Sequence, residues 1–312
     1  MAAPRAAPAA PVATEAPGAV ALPAARSFPP ADVKPPHPRS AEAEDGRWKP
    51  VGDASAGERA AEPPGTLVQT LIHPHPASRF ITLTVVAADL TALSLHFLPG
   101  AKDVGKTKLE VAPGLVPSAE QARLVAIFNG GFQPRHGRWG MHAAGATVVP
   151  PREAGCTVAL HRDGAVSVRS WPALRDREAE LVAYRQTPPC LLEQGRVHPD
   201  LLAGRDKAWG GRTPGLVTRR RSAIGIDASG SVLFYAIGVE TSPRLLAEGL
   251  AAVGAEHAAE LDINWNWTRF LLVGARDGAK LQITSALAKV DFAAREYLER
   301  AADRDFFYLL KR

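Results

Sequence analysis

Between Asp262 and Thr268 the chain sets a carboxylate, two asparagines, two tryptophans and a threonine within seven residues. An ordinary buried strand has no use for that mixture. A carboxylate can activate water or stabilise developing positive charge, amides can bond hydroxyls, and an indole face can stack on a pyranose ring. Asp262 is therefore the first catalytic candidate, and Asn264, Trp265 and Asn266 are binding candidates, with Trp267 as a second stacking surface. Upstream, Asn129-Gly130-Gly131-Phe132 closes an apolar run and leads into a glycine-spaced loop carrying Arg135, His136, Arg138, Trp139, Met141 and His142. Asn129 can bond sugar hydroxyls, while Gly130 and Gly131 let the backbone take positive φ and approach a ligand closely. Arg135 and Arg138 can fork onto phosphate oxygens, and His142 can carry a proton. Between the two groups lie Arg221, the best phosphate partner by type and position, and Glu240, the second carboxylate candidate. Each has a structural alternative: Asp262 can cap a turn, Arg221 can pair with it, and either tryptophan can be core. Asp227, beside a turn, reads as structural.

The elements that must position these residues are mostly strands. Branched and apolar residues predict strands over 66–72, 80–86, 93–98 and 124–128, the last fully buried. Arg162-Asp163-Gly164 predicts a hairpin between 156–160 and 166–170, and Ala228-Ser229-Gly230 another between 221–226 and 231–239. Further strands are expected at 181–184, 191–193, 258–263, 270–273 and 306–310, with turns at Gln194-Gly195 and Arg276-Asp277-Gly278 and an irregular loop over 203–215. Ser118 and Gln121 fit a capping box for a short helix. Ser242-Pro243 predicts a helix start and Gly254 its end, with Leu245, Leu246, Leu250 and Val253 on one face. A third helix is expected near 293–301. Many strands and few helices, without regular βα alternation, predict an α+β fold with mixed, strand-rich sheets and a few packed helices.

Composition sets the limits. Thirteen of the 27 prolines fall at or before Pro64, among alanines and single charges, so residues 1–64 are expected to be a disordered Pro/Ala-rich linker and 65–312 the folded domain. The formal net charge is +5, and Arg219-Arg220-Arg221 is the densest basic spot. That charge suits acidic or phosphate-bearing ligands, but no aromatic-interleaved basic stripe accompanies it, so no nucleic-acid partner is expected. No apolar stretch is long enough to span a membrane, and the start lacks the basic and apolar regions of a signal peptide. Cys156 and Cys190 can form one disulfide in an oxidising compartment or remain two buried thiols. His73 and His75 alternate with proline and have no third ligand nearby. No metal-ligand cluster is evident, and the cofactor is unknown, a divalent metal remaining possible.

Taken in order, Asn129 to Phe132, the Asp163-Gly164 hairpin, Arg221-Ser-Ala-Ile-Gly-Ile-Asp227, the helix ending at Gly254-Ala255, and Leu261-Asp262 resemble the phosphodiester glycosidase family over roughly residues 66–310. Asn129, Gly130, Gly131 and Phe132 match its Asn-Gly-Gly-Phe turn. Arg221, Gly225 and Asp227 match its Arg-Thr-Ala-Ile-Gly-Ile-Asp strand, with Ser222 for threonine. Leu261 and Asp262 match the start of its Leu-Asp-Gly-Gly-Gly-Ser motif. Ile263, Asn264 and Trp265 then stand where the family has three glycines, which should narrow or remodel the pocket. The resemblance implies a hydrolase of a sugar-1-phosphodiester or related envelope carbohydrate phosphate, in a periplasmic or extracellular setting linked to exopolysaccharide chemistry, with a cytoplasmic location the alternative that the missing signal-peptide pattern leaves open. The alternative is a carbohydrate- or acidic-polymer-binding protein on the same fold that has lost catalysis. Cleavage at the anomeric carbon and at phosphorus both remain open.

Overall fold

The computed structural model describes residues 27–51, 65–210, 219–275 and 280–312. In chain order the strands are β1 (Lys49–Pro50), β2 (Leu67–Ile72), β3 (Thr82–Asp89), β4 (Leu93–Leu98), β5 (Leu124–Asn129) and β6 (Met141–Ala143). They continue as β7 (Ala146–Val149), β8 (Cys156–His161), β9 (Val166–Ser170), β10 (Leu181–Thr187), β11 (Leu192–Glu193) and β12 (Arg196–Val197). The last six are β13 (Arg219–Ile226), β14 (Val232–Thr241), β15 (His257–Ile263), β16 (Phe270–Gly274), β17 (Gln282–Ala286) and β18 (Phe306–Lys311). Helices α1 (Ser118–Gln121), α2 (Pro199–Leu202) and α3 (Pro243–Ala252) are short.

The strands form three sheets. One orders its strands β1-β2-β3-β14-β13-β15-β11-β12, the second β7-β6-β10-β8-β9 and the third β17-β16-β5-β18-β4. Paired strands within each sheet run antiparallel, as in the β13–β14 hairpin and the β5–β18 pair. The α+β expectation holds.

An apolar cluster joins the sheets, and its centre is aromatic. Phe128 of β5 stacks on Phe270 of β16 at 5.7 Å and on Phe307 of β18 at 5.4 Å, and Tyr235 of β14 closes the group at 5.2 Å from Phe128. On the other face of the large sheet, Leu246, Ala247, Leu250 and Val253 of the α3 region pack on Leu83, Phe234 and Trp209. Ser242 caps α3 as its sequence predicts, its hydroxyl accepting from the Leu245 N–H at 3.2 Å. Cys156 and Cys190 form a disulfide that ties β8 to the segment before β11.

Several expectations are corrected. Residues 27–51, assigned with the linker, lie on the domain: β1 pairs with β2, and buried Asp45 holds His73 Nδ1 at 2.8 Å. A few apolar anchors such as Val51 and Trp48 are enough to dock a proline-rich segment. The capping box is absent: Pro117 occupies the cap position, and the Gln121 amide instead donates to the Val116 and Leu298 carbonyls. The region 293–301 is not helical. Tyr297 takes φ of 67° there and buries its ring against Phe306 at 4.7 Å, so a tertiary contact overrides helix propensity. Met141 and His142, expected in a loop, belong to β6. Lys207–Trp209 forms one 3-10 turn of the expected 203–215 loop; its residues 211–215 and the turn 276–278 lie outside the described residues.

Candidate active site

β5 carries Asn129 from the aromatic core to a buried position at the strand's end. The Asn129 side chain is satisfied within the protein: its Oδ1 accepts from Tyr235 Oη at 2.9 Å and Arg269 N at 3.0 Å, and its Nδ2 donates to Ser222 Oγ at 2.9 Å. It pins β5 to β13 and β16. Neither Gly130 nor Gly131 has positive φ, contrary to the expectation for this turn. Their value is close approach. A Cβ on Gly130 would stand 2.3 Å from Asp305 Oδ2, and one on Gly131 would stand 3.1 Å from the Arg185 guanidinium.

Beneath the turn is a buried ion pair, Arg185 Nε to Asp305 Oδ2 at 2.6 Å. Asp305 Oδ2 also accepts from Gly131 N at 2.9 Å, and Arg185 donates to the Phe132 carbonyl. Asp103 accepts from the Asp305 N–H at 2.7 Å, and burial, reinforced by the Asp305 charge, pushes its carboxyl up to about 7.

Asp262 lies near the end of β15, its N–H donating to the Gly130 carbonyl at 2.9 Å. Its Oδ2 contacts Arg304 Nη2 at 2.6 Å, and its Oδ1 accepts from Ile263 N at 2.8 Å. Burial raises its carboxyl to about 6, with the Arg304 charge opposing the rise. Asn264 follows with φ of 120°, a backbone region that favours glycine. Its Oδ1 accepts from the N–H groups of Asn266 and Trp267, both at 3.1 Å, forming a local turn. That turn leaves Trp265 56% exposed, with Arg220 packed 5.4 Å from its ring centroid.

Asp262, Ile263 and Asn264 form one wall of a cavity of about 520 Å³. Phe132, Trp139 and Pro188 give it apolar surface, while His136, Lys207 and Arg219 bring nitrogen bases and cations to its lining. A carboxylate and a cationic lining in one cavity can hold an anionic group beside a reacting carbon.

Only part of the expected constellation meets here. Asp262 and Asn264 line the cavity; Asn129, Gly130 and Gly131 stand behind it as support, and Trp265 and Asn266 lie on the exposed turn beyond. Arg135 and Arg138 are exposed on the loop that delivers His136. Arg221 is fully buried, with Nη1 on Glu260 Oε1 at 2.6 Å and on the Trp209 carbonyl at 2.8 Å, so it faces the interior of the sheet. Burial raises the Glu260 carboxyl to about 7 against the pull of Arg221. Glu240 is exposed near the end of β14, and His142 bonds Thr147 Oγ1 at 2.9 Å and stacks on Tyr184; neither lines the cavity. Arg304, Asp305, Arg185 and Lys207 escaped sequence reasoning, and Arg219 entered it only as part of a basic run. The partners of Arg185, Arg304 and Asp305 are distant in sequence, and no local spacing marks them.

Residues 122–262 match the family model described as phosphodiester glycosidase. Among solved structures, the zebrafish N-acetylglucosamine-1-phosphodiester alpha-N-acetylglucosaminidase catalytic domain, auto-inhibited by its pro-peptide, is 14% identical with a TM-score of 0.52, covering 82% of this chain and 87% of that one. A hypothetical protein from Synechocystis is 13% identical with a TM-score of 0.48, covering 79% of this chain and 62% of that one. A putative exported protein from Burkholderia pseudomallei is 12% identical with a TM-score of 0.37, covering 74% of each chain. No curated protein matches the sequence. The zebrafish domain shows a shared fold, and with the matched segment, which ends at Asp262, the chain resembles the phosphodiester glycosidase family.

Proposed function

We propose that the chain is a hydrolase of the phosphodiester glycosidase type, cleaving a sugar-1-phosphodiester or a related carbohydrate phosphate. The observation that carries this reading is the shared cavity: buried Asp262 on one wall, with Lys207, Arg219 and His136 in the same lining. The cations neutralise a phosphate, while Phe132 and Trp139 offer apolar surface to a sugar ring. A phosphate monoester leaves as a weakly basic anion, so one carboxylate with little general-acid help is adequate for C–O cleavage. The Cys156–Cys190 disulfide favours an oxidising compartment, consistent with a periplasmic or extracellular protein acting on envelope glycans.

One observation favours the binding-protein alternative. Ile263 stands where the family has glycine, and its Cδ1 reaches to within 3.0 Å of where a Cβ on Gly210 would lie, narrowing the cavity. The two readings separate on purified protein assayed against a panel of sugar-1-phosphodiesters, with and without divalent metal. The hydrolase turns one over, and Asp262→Asn abolishes turnover with the fold retained. Complete inactivity with retained binding of an acidic glycan rejects the hydrolase.

A further inference from the structure

The geometry points to Arg304, outside the family-matched segment, as the positioning residue that holds Asp262 as a carboxylate on the cavity wall and so makes it a base; this rests on the hydrolase reading above. Arg304 is built to hold one place. Its backbone lies against Gly100, where an added Cβ would stand 2.3 Å from the Arg304 carbonyl carbon. Its guanidinium sits 4.8 Å from the Trp267 ring centroid. The next residue, Asp305, is anchored by Asp103, Arg185 and Gly131. With backbone and side chain both fixed, Nη2 meets Asp262 Oδ2 at 2.6 Å, with Asp262 buried and the Arg304 side chain 11% exposed.

A buried ion pair is weak evidence for stability, because desolvation offsets most of the Coulombic gain. Its effect on the carboxylate is more definite. The charged and titratable groups around Asp262 are Arg304 and Asp305 just before β18, Arg185 on β10, Glu260 two residues back on its own strand, and His136, Lys207 and Arg219 in the same cavity lining. Asp305 is already committed to Arg185, and Glu260 to Arg221. Arg304 is the cation bonded to Asp262 itself, and the Ile263 N–H adds a second donor that favours the ionised form.

A carboxylate held in this way accepts a proton from water. In the step this implies, the water oxygen attacks the anomeric carbon and its proton passes to Asp262. The bond from that carbon to the phosphate oxygen breaks, its electron pair leaving with the phosphate monoester. The sugar departs as a hemiacetal, and Asp262 returns the proton to solvent. The cavity cations neutralise the leaving phosphate and the base needs no acid partner.

The test is a carbon-detected NMR titration of the Asp262 carboxyl in the full chain, for wild type, Arg304→Lys and Arg304→Met, paired with pH profiles of kcat/KM on a sugar-1-phosphodiester. In Arg304→Met the midpoint should rise by about one to three pH units, the effect expected for loss of an adjacent guanidinium. The acid limb of kcat/KM should rise with it, and Arg304→Lys should restore much of both. If Arg304→Met does not fold, Arg304→Gln, which keeps an N–H donor, is titrated in its place with the same expectation. An unmoved midpoint in a folded variant overturns the positioning role, even if wild type is active. A moved midpoint with no turnover by wild type overturns the hydrolase reading and the catalytic role of Arg304 with it.

Discussion

Replacing Gly130 with alanine should destabilise the protein far more than the same change at Gly131. The new methyl at 130 would stand 2.3 Å from Asp305 Oδ2, 2.6 Å from its Cγ and 2.9 Å from its carbonyl oxygen. Comfortable separation is about 3.5 Å, so the carboxylate must retreat by about 1 Å. The same oxygen accepts from Arg185 Nε at 2.6 Å and from Gly131 N at 2.9 Å. A retreat of that size takes both bonds beyond useful range and leaves a buried guanidinium without its partner, a loss of about 3–5 kcal/mol. At 131 the methyl meets the end of the Arg185 side chain at 3.1 Å, which can yield by a few tenths of an ångström, for a cost of about 1 kcal/mol. Urea unfolding of both variants measures the difference directly. The Gly130 carbonyl also accepts from Asp262 N, so Gly130→Ala should lower turnover as well. A Gly130→Ala midpoint within about 0.5 kcal/mol of wild type, or the reverse ranking of the two variants, would refute the close-approach account.

Three buried carboxyls are raised in the folded state, Asp262 to about 6 and Asp103 and Glu260 to about 7. The folded protein therefore keeps protons that the unfolded chain has lost, and stability should fall from about pH 4 to about pH 7 and then level off; Asp262→Asn should flatten part of that slope, worth on the order of 3 kcal/mol at most, in denaturation series across pH. Glu260→Gln should cost about 3–5 kcal/mol by stranding Arg221, whereas the double change Arg221→Met with Glu260→Leu should recover stability and keep substrate KM. A raised KM in the folded double variant would return Arg221 to the phosphate site. Reducing the Cys156–Cys190 disulfide, which closes a separation of 34 residues, should lower stability by about 3–4 kcal/mol, read as a shift in the urea midpoint with and without reductant. Trp265→Ala should leave stability within about 0.5 kcal/mol, since the ring is largely in solvent, while weakening glycan binding measured by calorimetry.

Residue pattern alone determined what depends on near neighbours. The buried strand 124–128, the hairpins and the Ser242 cap all rest on periodicity or turn chemistry within a few residues, and the structure shows each of them. Strand pattern does not say on which side of the sheet Arg221 lies, because a strand residue can face the cavity or the opposite side. Only the packing of Glu260 and Trp209 against β13 settles which. The helix expected near 293–301 is absent; Tyr297 and Leu298 there pack into the cluster around Phe306. Tertiary structure alone decided the support of the site. Arg185, Arg304 and Asp305 come from strands and connections that meet Asn129–Phe132 and Asp262 only when the sheets close on their aromatic core. Ion pairs of that kind carry no sequence period, because their geometry is set by the packing of whole sheets and not by the chain on either side of them.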